Sequence, residues 1–230
     1  MSDSYSREYL NIPVDETIAF FKRKDFIEER AEDKNKPLTY YISGDLAISE
    51  SEKADYTVFI VGGMDENRFL HIVDVIRDRL DGKEIVDTIL ALQDHYKPEI
   101  FGIEEMQISK AIGPFLREEM LIQNIFPNIV PMKHMGKDKV SRARSIQARM
   151  RAKTIKFDTE ADWFPTFQEE LLKFPRSTKD DQVDAFAYLG LLLNKMIEAP
   201  TKDEIEEEEY QDELRESKLH EFGRNRITGY

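Results

Sequence analysis

The sequence has no cysteine. That removes disulfides, thiolate metal sites and cysteine nucleophiles in one step, and it fits a reducing cytoplasm. Histidine is scarce: His71, His95, His134 and His220 are the only four, and none stands in an HExxH arrangement, so a zinc site is not expected. No apolar run approaches the roughly 18 residues a membrane span needs, so no transmembrane helix is expected. The polar stretch Met1 to Leu10 lacks an apolar h-region, and no secretory signal is expected. A GxxxxGK[ST] phosphate loop is missing, which argues against ATP hydrolysis by this chain. Positive charge is also short, with 33 Lys and Arg against 46 Asp and Glu and a net charge of −13. Spread evenly, that balance would argue against a nucleic-acid partner, because phosphate contacts come from Lys and Arg.

The charge is not spread evenly. Between Met132 and Lys156 nine Lys and Arg face a single acid, Asp138. Between Glu198 and Tyr230 eleven acids outnumber five bases. A chain that is acidic overall can therefore still present one cationic face. The length, 230 residues, allows one domain with a sizeable core plus appendages.

Three strand signals open the central region: Thr39 to Ile48, Tyr56 to Val61, and the alternating run Arg68 to Ile76. They read as an antiparallel meander, with a turn cluster at Gly62 to Asn67. A helix is predicted over Gly82 to Tyr96, where Ile85, Ile89, Leu92 and Tyr96 recur at helical spacing. Ile100 to Ile103 is a short apolar strand after that helix, which implies a parallel crossover. Further helices are predicted at Ile108 to Gln123, Ser141 to Lys153, Phe164 to Phe174 and Gln182 to Ile197. Short strands are predicted at Asn128 to Met132 and Thr154 to Phe157. Upstream, Thr17 to Arg30 reads as a short helix and Ala31 to Pro37 as a linker. The fold class is α/β: a mixed sheet, antiparallel meander then parallel strands, flanked by helices.

Acidic residues fall at chemically meaningful places in this order. Asp45 lies inside an apolar strand, where a carboxylate is costly unless paired or metal-bound. Glu104 and Glu105 close the run IFGI, and ligands of open α/β sheets collect at the carboxyl ends of strands. Asp180, Asp181 and Asp184 open the last helix, and the spacing of three puts Asp181 and Asp184 on one face. Each acid alone also has a plain structural use, as a turn residue, a solvated strand end or an N-cap. Jointly they suit two-metal phosphodiester hydrolysis, which needs hard oxygen ligands for Mg²⁺ or Mn²⁺.

At these positions the sequence resembles the nuclease domain of phage terminase large subunits, the DNA-packaging motors of tailed phages. The matching pieces are GDLAISESEKADYTV (Gly44 to Val58), IFGIEEM (Ile100 to Met106), MGKDKVSRARSIQ (Met135 to Gln147) and LLKFPRSTKDDQVDAFAY (Leu171 to Tyr188). The resemblance implies an RNase H-like fold, shared with junction resolvases and integrases. It implies a metal-dependent endonuclease that cuts double-stranded viral DNA concatemers with two Mg²⁺ or Mn²⁺ ions. The implied catalytic and metal-binding residues are Asp45, Glu104, Asp181 and Asp184, with Glu105 and Asp180 as competitors. Many relatives carry His where this chain has Lys179. The cations Lys137, Lys139, Arg142, Arg144, Arg149 and Arg151 are the expected DNA contacts, alongside Lys133, Lys153 and Lys156. The implied organisation is a connector from an upstream ATPase domain (1–36), the nuclease (37–197) and an acidic tail (198–230). Portal protein and a small terminase subunit are the implied partners besides DNA, no membrane is involved, and the implied setting is the cytoplasm of the infected host. A junction-resolvase-like nuclease and a non-catalytic module docking on portal or DNA are the rival readings.

Overall fold

The structure, a computed structural model, describes residues 19–47, 56–105, 112–132, 138–177 and 179–198. Seven strands form one sheet: β1 (Ile27–Glu28), β2 (Thr39–Asp45), β3 (Thr57–Met64), β4 (Leu70–Asp78), β5 (Ile100–Glu104), β6 (Ile129–Met132) and β7 (Ile155–Phe157). Among the described residues there are five α-helices: α1 (Gly82–Tyr96), α2 (Gly113–Gln123), α3 (Lys139–Arg151), α4 (Phe164–Lys173) and α5 (Asp181–Glu198). The strand order is β1-β7-β4-β3-β2-β5-β6. β2, β3 and β4 pair antiparallel as a meander, while β5 pairs parallel with β2 and with β6. The mixed sheet expected from the sequence is the one observed.

Side-chain alternation along the strands splits the core in two. Ile42, Phe59, Val61, Phe101 and Ile103 pack on one face with the apolar stripe of α1 and with Leu116 of α2. Tyr41, Val58, Ile60 and Met132 pack on the other with residues of α3, α4 and α5. α1 begins at a capping box, in which Asp81 accepts from the N–H groups of Lys83 and Glu84 while Glu84 accepts from Asp81 N–H. It ends at Lys97 in the left-handed region, just before Pro98. α5 is apolar nearly all round, as a helix buried between a sheet and other helices should be.

Gly102 and Gly190 let α5 seat closely. A Cβ on Gly102 would lie 3.3 Å from Leu192. One on Gly190 would lie 2.5 Å from Ser145 Oγ and 3.0 Å from the Ile146 backbone nitrogen, so α3 and α5 cross there almost backbone to backbone.

Two upstream expectations are corrected. Thr17 to Arg30 is not a helix where it is described: only a 3₁₀ turn, Arg23–Asp25, precedes β1, which pairs parallel with β7. The phenylalanines there pack into two aromatic groups instead of forming a stripe. Phe21 sits at 5–7 Å ring distances from Phe20, Phe174 and Phe186, and Phe26 meets Phe157 and Phe164. Nor is Ala31 to Pro37 a free linker. Asp33 is 1% exposed and held by Lys36 and Lys156 at 2.8 and 2.6 Å. Of the other expectations, Lys133, Lys137, the first residues of the Ile108 helix and the tail beyond residue 198 lie outside the described residues.

Candidate active site

The acidic residues are brought together first by strand register. β2 and β5 run parallel with Gly44 opposite Ile103, so the same register carried one residue further sets Asp45 beside Glu104. Both stand at the carboxyl ends of their strands. This is also where the chain order of the sheet reverses, since β2 lies between β3, its successor, and β5, reached by a crossover. Such switch points are where open sheets gather ligands. The pleat gives the face. Ser43, two residues before Asp45, donates to Ala185 O of α5 at 2.7 Å, so Asp45 shares the α5 face. Gly102, two before Glu104, looks at Leu192 of α5, which puts Glu104 on the same side. Glu104 is half-buried and Glu105 is exposed, which favours the former.

The first turn of α5 supplies the rest. It is fixed by three tertiary contacts. Ser43 holds Ala185. Gln182 donates its backbone and side-chain N–H groups to Glu170 of α4 at 2.7 and 2.6 Å, satisfying a helix-start donor that has no partner within its own helix. Tyr56 N–H donates to Asp181 Oδ2 at 3.4 Å. Glu170 is 8% exposed, and burial pushes its carboxyl above the ordinary range despite the two Gln182 bonds.

Asp184 is 8% exposed and doubly engaged: Arg142 Nη2 reaches Oδ1 at 2.7 Å and Lys139 Nζ reaches Oδ2 at 3.0 Å. Lys139 also meets Asp180 at 2.7 Å. Burial alone would lower the Lys139 ammonium, but the bonds to Asp180 and Asp184 outweigh it and raise it. One buried phenol reports the combined field. Burial first, then the charges of Glu104 and Asp45, push Tyr188 far above the usual tyrosine range; Asp184 adds to this and Arg142 opposes it. Asp45, Glu104 and Asp184 thus lie within electrostatic reach of one side chain. Asp181, three residues before Asp184 on the same helix, accepts from the Tyr56 N–H, and its charge also reaches Glu170. Among the described residues no three carboxylates or imidazoles converge into a ready metal cage.

The basic segment divides. Asp138, its single acid, is the N-cap of α3 and accepts from Ser141 N–H at 2.8 Å. Arg142 is 5% exposed and turned inward to Asp184, so the structure does not place it on the outer face with the other cations. Arg144 and Arg151 are exposed and seven residues apart, forming one outward stripe; Arg149 is half-buried, and burial lowers its guanidinium. Sequence reasoning missed Glu170, whose only trace was a carboxylate on the apolar side of the α4 pattern. It also missed the cations that β4 contributes at this end of the sheet.

The RNase H-like family model described as "Terminase RNaseH-like domain" matches residues 42–192. Among solved structures, the nuclease domain of the large terminase subunit gp2 of bacterial virus Sf6 is similar, with 9% identity over 75% of this chain and 98% of that one and a TM-score of 0.54. The HK97 bacteriophage large terminase is similar at 11% identity over 75% of this chain and 43% of that one, with a TM-score of 0.52. At such identities the likeness is one of fold. No curated protein sequence matches. No described helix is long and apolar enough to cross a membrane. The match over 42–192 takes in well over half of the sequence, and the chain belongs to the terminase RNaseH-like domain family.

Proposed function

We propose that this chain is an endonuclease that cuts double-stranded viral DNA concatemers during genome packaging in the host cytoplasm, with Asp45, Glu104, Asp181 and Asp184 as ligands for two Mg²⁺ or Mn²⁺ ions. The observation that supports the reading is the parallel register of β2 and β5, which brings Asp45 and Glu104 to the switch point on the face covered by α5. The donor chemistry fits hard divalent ions: every candidate is a carboxylate, and no thiol or imidazole competes among them. Such ions, when bound, activate water and neutralise charge on the phosphate undergoing hydrolysis.

The chain's own residues do the positioning. Ser43, Glu170 and Gln182 lock the first turn of α5 against β2 and α4, which fixes where Asp181 and Asp184 stand. Arg142 and Lys139 compensate Asp184 and Asp180, so a buried carboxylate is tolerated in the folded chain. Arg144 and Arg151 on the outer stripe of α3 suit sequence-blind phosphate contact. Portal protein, a small subunit and an upstream ATPase domain are the proposed partners. The test is incubation of supercoiled plasmid with the pure chain and Mn²⁺, Mg²⁺ or chelator. Nicking and linearisation with either metal, and none with chelator, are expected. Intact plasmid under every metal condition would end the nuclease reading.

A further inference from the structure

Beside the acids, on the β4 side, three cations gather around one aromatic ring. Arg77 Cζ lies 3.5 Å from the Tyr56 ring centroid, Arg79 Cζ 4.7 Å and Lys179 Nζ 5.5 Å. They come from two elements, the end of β4 and the residues before α5, so local sequence does not force them together. Gathering like charges costs free energy, and an exposed cation–π contact returns only about 0.5–1 kcal/mol. Toward Arg77 the counter-charge from Glu170 is weak. Glu170 Oε2 is 3.8 Å from Arg77 Nε, beyond hydrogen-bond distance, and the Glu170 carboxylate is already occupied by Gln182. Arg77 Nε is buried and meets no hydrogen-bond acceptor among the described residues.

Register fixes the direction of the cluster. Asp45 pairs with Val58, and Val58 pairs with Arg77, so Arg77, Val58, Asp45 and Glu104 form one cross-strand row on the α5 face. Arg77 is two strands from Asp45, about 10 Å at the usual strand spacing. Duplex DNA carries one charge per about 3.4 Å of axis on each strand. A strand lying along this row meets the cations within a few nucleotides of the acids. Stacking on Tyr56 orders the Arg77 guanidinium without consuming its in-plane N–H donors, and that is the geometry that suits a phosphate.

We propose that Arg77, Arg79 and Lys179, gathered on Tyr56, form a second anchoring site for the DNA backbone, gripping phosphate on the side of the acids away from β5 and β6. This rests on the nuclease reading above. It adds a contact that the basic segment 132–156 does not supply, and it sets the path of the strand across the sheet end.

The test uses the exposed pair. Arg79→Ala/Lys179→Ala is compared with a charge-matched control, Arg68→Ala/Lys97→Ala, whose exposed cations precede β4 and β5 at the opposite end of the sheet. Both are made in an Asp45→Asn background, and binding to a labelled duplex is read by fluorescence anisotropy at several salt concentrations. Equal thermal midpoints establish that both remain folded. The site predicts about a tenfold loss of affinity for the first double variant, and a slope of log K against log salt flatter by about one unit per lost phosphate contact. The control is expected to match its parent. An unchanged slope in the first variant, or an equal change in the control, overturns the site. Plasmid cleavage by the wild-type chain is scored alongside. Cleavage with an unchanged slope removes only the anchoring site, whereas no binding and no cleavage by the wild type removes the nuclease reading and the site with it.

Discussion

Arg142 shows how a residue's setting decides its role. In the sequence it is one of nine cations in a run; in the structure it is a buried partner of Asp184. Removing one partner of a buried pair is costly, and only the half-exposed Lys139 would remain beside Asp184, so Arg142→Ala is expected to destabilise the fold by up to about 3 kcal/mol. Urea denaturation measures this, and a loss under about 1 kcal/mol would show that the pair is solvent-screened after all. Lys139 is half exposed and bridges Asp180 and Asp184, which makes it a monovalent competitor for the proposed divalent ions. Lys139→Ala should therefore raise Mn²⁺ affinity several-fold in a calorimetric titration, while Asp184→Asn should lower it. Affinity that falls in Lys139→Ala would mean that the lysine orders the carboxylates more than it competes for them. Asp45 and Glu104 were legible in the sequence because carboxylates closing apolar strands are conspicuous. That Arg142 turns inward was not, because helical spacing shows which residues share a face and not what that face meets.

At the level of elements, legibility followed periodicity. α1 is predicted with its observed limits because its apolar stripe runs unbroken until just before Pro98. β3 runs to Met64, through a glycine pair that reads as a turn, because Gly62 and Gly63 leave room for Leu189 and Leu38 to pack against the strand. The segment before β2 misleads because its phenylalanines pack as two groups rather than as a helical stripe, Phe20 and Phe21 with Phe174, and Phe26 with Phe157 and Phe164. The α3–α5 crossing at Gly190 was not legible, since a glycine inside a helix gives no sign of what approaches it. Gly190→Val must push against the Ile146 backbone, which cannot rotate away. The expected cost is about 1–3 kcal/mol, with a loss of cleavage larger than the loss of folded protein, because α3 carries Arg142 and Lys139. Thermal melts and activity measured on the same sample check this; wild-type stability and activity would show that the helices slide freely.

Over the whole molecule, charge organisation separates two ends of the sheet. At the end away from the acids, Asp33 and Asp65 lie in a buried network with Lys36, Lys156, His71 and Glu29. Burial alone would raise the Asp33 carboxyl, but bonds from Lys156, Lys36 and the Arg30 N–H hold it well below its ordinary value of 3.8. A depressed carboxyl contributes stability that is complete above the unfolded pKa and is lost as pH falls through the folded one. Glu170, raised by burial, works the opposite way: its contribution is present below 4.5 and is lost as pH climbs through its folded value. Denaturation midpoints should therefore fall steeply below about pH 4, and Asp33→Asn should flatten that acid limb. An unchanged acid limb in the variant would place acid sensitivity elsewhere. At the other end, Asp45 and Glu104 are the proposed paired carboxylates of a metal-dependent nuclease. The most direct measurement is Mn²⁺-dependent plasmid cleavage by wild type, Asp45→Asn and Glu104→Gln, each shown to be folded by circular dichroism. Cleavage by the wild type and a fall of at least about a hundredfold in both variants are expected; a folded Asp45→Asn that cuts at the wild-type rate would contradict this role.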